Sequence, residues 1–120
     1  MSNANIQTET RLWLAQRLSA MVLAVCIAVH LGTIVYAVQG GISAAEIKLR
    51  LAGSEAWFVF YSVFVLAITV HAPIGLRAVL AEMTKLPKKR VDLLCFLAAV
   101  LIAYLGLKVA WRFYALGGGS

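Results

Sequence analysis

The chain has 120 residues, of which 62% are hydrophobic and only 13% charged, with a net charge of +6 and a mean hydropathy of +0.89. A soluble domain of this size keeps most residues near its surface and needs a charged shell, so the composition excludes a soluble enzyme. The charges are clustered, and three apolar runs each approach or exceed the roughly 20 residues that cross a bilayer core. The basic residues flank those runs, which points to membrane orientation and anionic lipid headgroups, with no nucleic acid.

In chain order, residues 1–10 (MSNANIQTET) are polar and read as a loose tail or a docking segment. RLWLAQR, residues 11–17, is interfacial, with Trp13 suited to the headgroup boundary. A first span is predicted over residues 18–38, closed by Gly40 and Gly41. Ser43 then caps a short amphipathic helix in SAAEIKLRLAG that can lie on the membrane surface. A second span covers 57–79 and continues as a polar turn through Glu82. TKLPKKR, residues 84–90, is a basic linker with Pro87 as a stop, and a third span covers 91–116. Lys108 and Arg112 lie four apart near its far end and are placed to snorkel. Cys26 and Cys95 fall inside spans, where a thiol is a small apolar filler, so no disulfide is expected. The polar start predicts no cleavable signal peptide. GGGS at 117–120 reads as a linker remnant, which leaves 1–116 as one three-span domain. The fold class is all-α, an integral membrane three-helix bundle forming half of a larger six-helix assembly.

With three spans, the N-terminus and the second loop share a side. Seven basic residues lie there (Arg11, Arg17, Arg77, Lys85, Lys88, Lys89 and Arg90), against four on the other side (Lys48, Arg50, Lys108 and Arg112). The positive-inside rule therefore predicts a multi-pass protein of the inner (cytoplasmic) membrane with a cytoplasmic N-terminus.

Only two histidines occur, His30 in the first span and His71 in the second. An ionisable residue at that depth is costly and marks a functional hypothesis; neutral imidazole is also a haem ligand, and a bis-histidine haem needs two facing helices. A bond to a neighbouring helix carbonyl accounts for either histidine equally well. The stretch HAPIGLRAVLAE, residues 71–82, sharpens the reading. Gly75 follows His71 by one turn on the same face, where a flat macrocycle needs room, though close helix packing also selects glycine. Arg77 lies about 9 Å along the axis, within reach of a haem propionate or a quinone oxygen, or placed as a headgroup anchor.

His-x-x-x-Gly-x-Arg followed by an acidic residue resembles the second helix of the large cytochrome b anchor subunit of succinate dehydrogenase. The resemblance implies that His71 ligates haem b, with Gly75, Arg77 and Glu82 in matching places. QRLSA, residues 16–20, is similar to the family's His-Arg-x-Ser-Gly element, whose arginine lines the quinone pocket and haem propionates. Arg17 and Ser19 match, whereas Gln16 and Ala20 replace the usual histidine and glycine. The resemblance implies an anchor of succinate:quinone oxidoreductase or fumarate reductase, passing electrons between an iron–sulfur subunit and membrane quinone. Its quinone site would draw on Arg17, Ser19, Trp13 and Arg77. The dicarboxylate chemistry would sit on a separate flavoprotein subunit, since this chain has neither a nucleotide-binding glycine loop nor a cysteine cluster.

His30 departs from single-haem relatives, while the related two-haem fumarate reductase anchors do use a first-helix histidine. Counted from the span edges, His30 and His71 differ in depth by roughly 6 Å, which favours two haems over one shared haem. Two arrangements stay open. A second copy of the chain would pair His71 with its mate and His30 with its mate, giving two haems. A different small anchor subunit would give one haem and leave His30 structural or a hydrogen-bond donor. The alternatives from other classes are a haem-free docking subunit and a small transporter subunit. No acidic residue lies mid-span, which counts against transport.

Overall fold

The computed structural model describes residues 3–116, with side chains from residue 5 onwards. Residues 117–120, expected as a linker remnant, and the first two residues of the polar tail lie outside them. Four helices follow in order: α1 Asn3–Gln39, α2 Ala44–Leu51, α3 Glu55–Met83 and α4 Lys88–Ala115. Three of them, α1, α3 and α4, are long and apolar enough to cross a membrane.

Local chemistry explains each boundary. α1 ends in a Schellman motif, with the Ile42 N–H donating to the Ala37 carbonyl and the Gly41 N–H to that of Val38. Gly41 takes a φ of +67°, open to glycine at little cost. Ser43 caps α2 by accepting from the Glu46 N–H at 3.2 Å, and Ser54 caps α3 by accepting from the Trp57 N–H at 3.3 Å. Pro87 takes the N-cap position of α4. It starts the third long helix within the basic run rather than only ending what precedes it, because proline lacks only a donor that the first turn leaves unused.

The N-terminal reading needs one correction. Residues 3–10, expected as a loose tail or a docking segment, are not loose but form the first turns of α1. No proline or glycine interrupts the chain before Gly32, and polar residues propagate a helix as readily as apolar ones.

α3 is the central element, packed against both α1 and α4. Its contact with α4 is close: a Cβ on Gly106 would lie 2.6 and 2.8 Å from the two γ-carbons of Val65. The buried positions are few and mostly small: Ser19, Cys26, Ala67, Cys95 and Ala110 beside the larger Leu23 and Val91. Large apolar side chains such as Val25, Phe96 and Leu101 face outward. Such an exterior suits hydrocarbon, where each helix satisfies its own backbone. The molecule is 55 Å long, more than the ~30 Å bilayer core, so both ends extend into the headgroup regions. At the end carrying α2, the Gly53 N–H donates to the Tyr114 carbonyl at 2.9 Å and fastens the loop to α4.

Candidate functional site

α1 and α3 run antiparallel and bring Ser19 to His71. The Ser19 hydroxyl, buried between the helices, donates to the Gln16 carbonyl at 3.0 Å and lies 3.4 Å from His71 Nδ1. A hydroxyl has one proton. The oxygen accepts from His71 when that proton is on Gln16, and then Nδ1 carries hydrogen and the lone pair sits on Nε2. That is the tautomer a metal-ligating imidazole needs, with its second nitrogen held by a neighbour.

Gly75 lies one turn beyond His71, and the Cβ it lacks would sit 3.4 Å from Gln16 Nε2. The Gln16 amide therefore packs against Gly75 at ordinary contact distance, and its Oε1 is buried without a hydrogen-bond partner. Gln16, Ser19, His71 and Gly75 form one cluster at this level.

The remaining residues of the expected quinone site do not join that cluster within the chain. Two residues apart on a helix project about 160° from one another, so Arg17 faces away from Ser19. Its guanidinium lies 5.1 Å over the Trp13 ring, and both side chains are exposed. Arg77 ties the three long helices together. Its Nη2 is 3.6 Å from Glu9 of α1 and its Nε donates to Asp92 of α4 at 3.3 Å. It also lines a groove of about 370 Å³ with Pro73, Lys88 and Asp92.

His30 lies at the other end of the same α1–α3 interface. Its Nδ1 is 3.2 Å from the Tyr61 hydroxyl, and the two rings meet edge to face at 87°. Because His71 is level with Ser19, eleven residues before His30, the two histidines stand about 16 Å apart in depth. The 6 Å expected from span edges was too small. Arg11 and Arg17 push the apolar edge of α1 inward, so the hydropathic edges of α1 and α3 lie at different depths. One haem cannot bridge His30 and His71 of a single chain at this separation.

Tyr61, Glu9 and Asp92 went unread in the sequence. A tyrosine among apolar residues looks like packing, and a carboxylate beyond a span looks like solvated surface. Antiparallel register was the available signal: once Ser19 is set beside His71, His30 falls beside Tyr61.

No curated protein and no solved structure matches the chain. It does match the family model described as succinate dehydrogenase/fumarate reductase transmembrane subunit, over residues 2–107. Three spanning helices and a match across nearly the whole length place this chain in that family, as a membrane anchor subunit of a succinate dehydrogenase/fumarate reductase complex.

Proposed function

We propose that this anchor carries haem b on His71 and passes electrons between the iron–sulfur subunit and membrane quinone. The observation that carries the reading is the Ser19–His71 contact, which engages Nδ1 of an imidazole inside a spanning helix and not Nε2. The residues fit one side of a haem. His71 is the only histidine at this level among the described residues, so a second histidine for haem would come from another chain, either a second copy or a different small anchor subunit. Bound there, haem would supply one-electron transfer. Ser19 holds the imidazole in the ligating tautomer, and Gly75 keeps a bulky side chain off the same face.

Arg17 and Trp13 offer a cation and a ring on the exposed face of α1, where a neighbouring chain would complete a quinone pocket, while Ser19 stays with His71 on the face packed against α3. Ala20, Ala24, Ala28 and Gly32 recur at four-residue spacing along α1. Gly32 has no atom within 4 Å of where a Cβ would be; such narrow ridges let another helix approach closely. The N-terminus and the basic 84–90 segment, loop and first turn of α4, face the cytoplasm in this reading, where the iron–sulfur subunit and flavoprotein dock. A second haem on His30 would likewise need a partner chain to complete it.

A haem-free docking subunit is the competing reading. Two observations favour it: Gln16 lies against Gly75, and the Arg77 guanidinium is engaged by two carboxylates. The pyridine haemochrome spectrum of the purified complex decides between them. His71→Ala is expected to remove at least one haem per assembly while the chain still inserts. An unchanged spectrum overturns the ligand assignment, and no haem in the native complex leaves only the docking role.

A further inference from the structure

The short helix α2 carries its charges in an unexpected way. Ile47, Arg50 and Leu51 share one face by the spacing i, i+3, i+4. All three line a cavity of about 500 Å³ walled by α1, α2, α3 and the loop that follows α1. Leu49, on the opposite face, is 75% exposed. α2 thus turns an arginine toward the cavity and a leucine away from it, the reverse of the pattern that burial alone selects. Arg50 lies in the last turn, where the helix dipole favours a cation, but any face of that turn would serve the dipole. No carboxylate lines the cavity, and among the described residues none pairs with Arg50.

An unpaired cation beside an apolar cavity suits an anion with an apolar body. The other polar groups fit that order. Trp57 sits in the first turn of α3, and its indole N–H can only donate. Tyr61 lies one turn deeper, about 6 Å along the axis, and stacks on Trp57 at an interplanar angle of 27°. Its hydroxyl is already 3.2 Å from His30 Nδ1, and the Thr33 hydroxyl donates to the His30 carbonyl at 2.7 Å. The deeper polar groups are therefore partnered within the chain, and the strong unmet donor is Arg50. A phospholipid runs in the same sequence from the surface inward: a phosphodiester that only accepts, then ester carbonyls, then hydrocarbon. A headgroup with its own ammonium would find no carboxylate here, so a net negative lipid fits better than a zwitterionic one. Haem fits less well, because iron needs a second axial ligand and no other histidine of this chain lies at this depth.

We propose that this cavity seats one anionic phospholipid from the leaflet at this end of the molecule. Arg50 and the Trp57 N–H hold the phosphodiester, Tyr61 lies at the level of the ester carbonyls, and an acyl chain runs along Ile34, Ile47 and Leu51. The lipid then fills the space that α2 bridges between α1 and α3. The inference stands apart from the haem and quinone assignments, since it uses neither His71 nor Arg17.

Photolabelling of the whole complex in phosphatidylcholine nanodiscs tests it, with graded amounts of phosphatidylglycerol carrying a diazirine on one acyl chain. Peptide mapping is expected to find label in residues 33–37 or 47–51, saturating at a low mole fraction and competed by unlabelled phosphatidylglycerol. The same diazirine on phosphatidylcholine should label them far less. Arg50→Gln should raise the half-saturating fraction about ten-fold, the size of one hydrogen bond to a charged group, with assembly of the complex unchanged. Arg50→Lys, which keeps the charge, should recover part of that loss. Lys48→Gln removes a cation from the same helix but away from the cavity, and should change the fraction little. Equal labelling by the two lipids overturns the site as one that reads a headgroup. An equal rise in Arg50→Gln and Lys48→Gln reduces it to general surface attraction and overturns it too. Label displaced by short-chain quinone but not by unlabelled phosphatidylglycerol gives the cavity to another ligand, and loss of haem in His30→Leu gives it to haem; either overturns the proposal. So does the absence of label from these residues. The proposed function is tested separately, by His71→Ala.

Discussion

A single hydroxyl proton decides which nitrogen of His71 is available. When Ser19 gives that proton to Gln16, it receives one from Nδ1. A ligand whose second nitrogen donates to an acceptor is more electron-rich and favours the oxidised metal. Ser19→Ala is therefore expected to keep the haem of the proposed site but raise its midpoint potential, while Ser19→Thr restores the native value. Redox titration of the reduced-minus-oxidised spectrum measures both; an unmoved potential in Ser19→Ala would detach the serine from the ligand. At this scale the sequence was informative where chemistry is rare. Two histidines in apolar spans stood out, and so did a serine in a matching element. Residues whose meaning depends on their neighbour did not stand out. Gly75 was legible as a place needing space, but only packing shows that Gln16 occupies it. Arg77 was legible as an interfacial cation, and its carboxylate partners come from α1 and α4, which hydropathy does not align.

The three long helices were legible because a bilayer demands about 20 apolar residues for each crossing, and the predicted spans all fall inside the observed helices apart from the last residue of the third. Their true ends were less so, since hydropathy reports where hydrocarbon begins and not where the helix stops. The packing between them rests on small residues. A Cβ on Gly106 would lie within 3 Å of both γ-carbons of Val65, and a β-branched side chain in a helix has essentially one rotamer, so it cannot turn away. Gly106→Ala is expected to force α3 and α4 apart at a cost of about 1–3 kcal/mol, seen as a lower unfolding midpoint in detergent. Val65→Ala in the same chain should recover most of that loss. If Gly106→Ala is as stable as the native chain, the helices have slack that the close approach denies. Gly32→Ala is the internal control: with no neighbouring atom within 4 Å of its Cβ, it should leave the midpoint of the isolated chain unchanged or slightly raised.

For the whole molecule, orientation is a matter of charge and not of packing. The bundle is satisfied internally either way up, so the difference between the two insertions lies in which loops carry lysine and arginine. Seven basic residues stand at the end holding Ser19 and His71, against four at the end holding the His30 cavity. The run Lys88, Lys89 and Arg90 alone accounts for the margin. Replacing all three with glutamine leaves four on each side, so the bias should vanish and both insertions should appear. The replaced residues form the first turn of α4 and are exposed, so the fold itself should survive. Single cysteines at Glu46 on α2 and Glu82 on α3, both exposed, report the two ends, because the native Cys26 and Cys95 are buried. In spheroplasts, a membrane-impermeant maleimide should label Glu46→Cys at once and Glu82→Cys only after lysis. In the triple variant, each should be labelled in part before lysis. The reverse pattern in the otherwise native chain would place the Ser19–His71 end outside, away from cytoplasmic catalytic subunits. The electron path proposed for this anchor would then fail on geometry alone, because His71 would stand on the far side of the membrane from its electron donor.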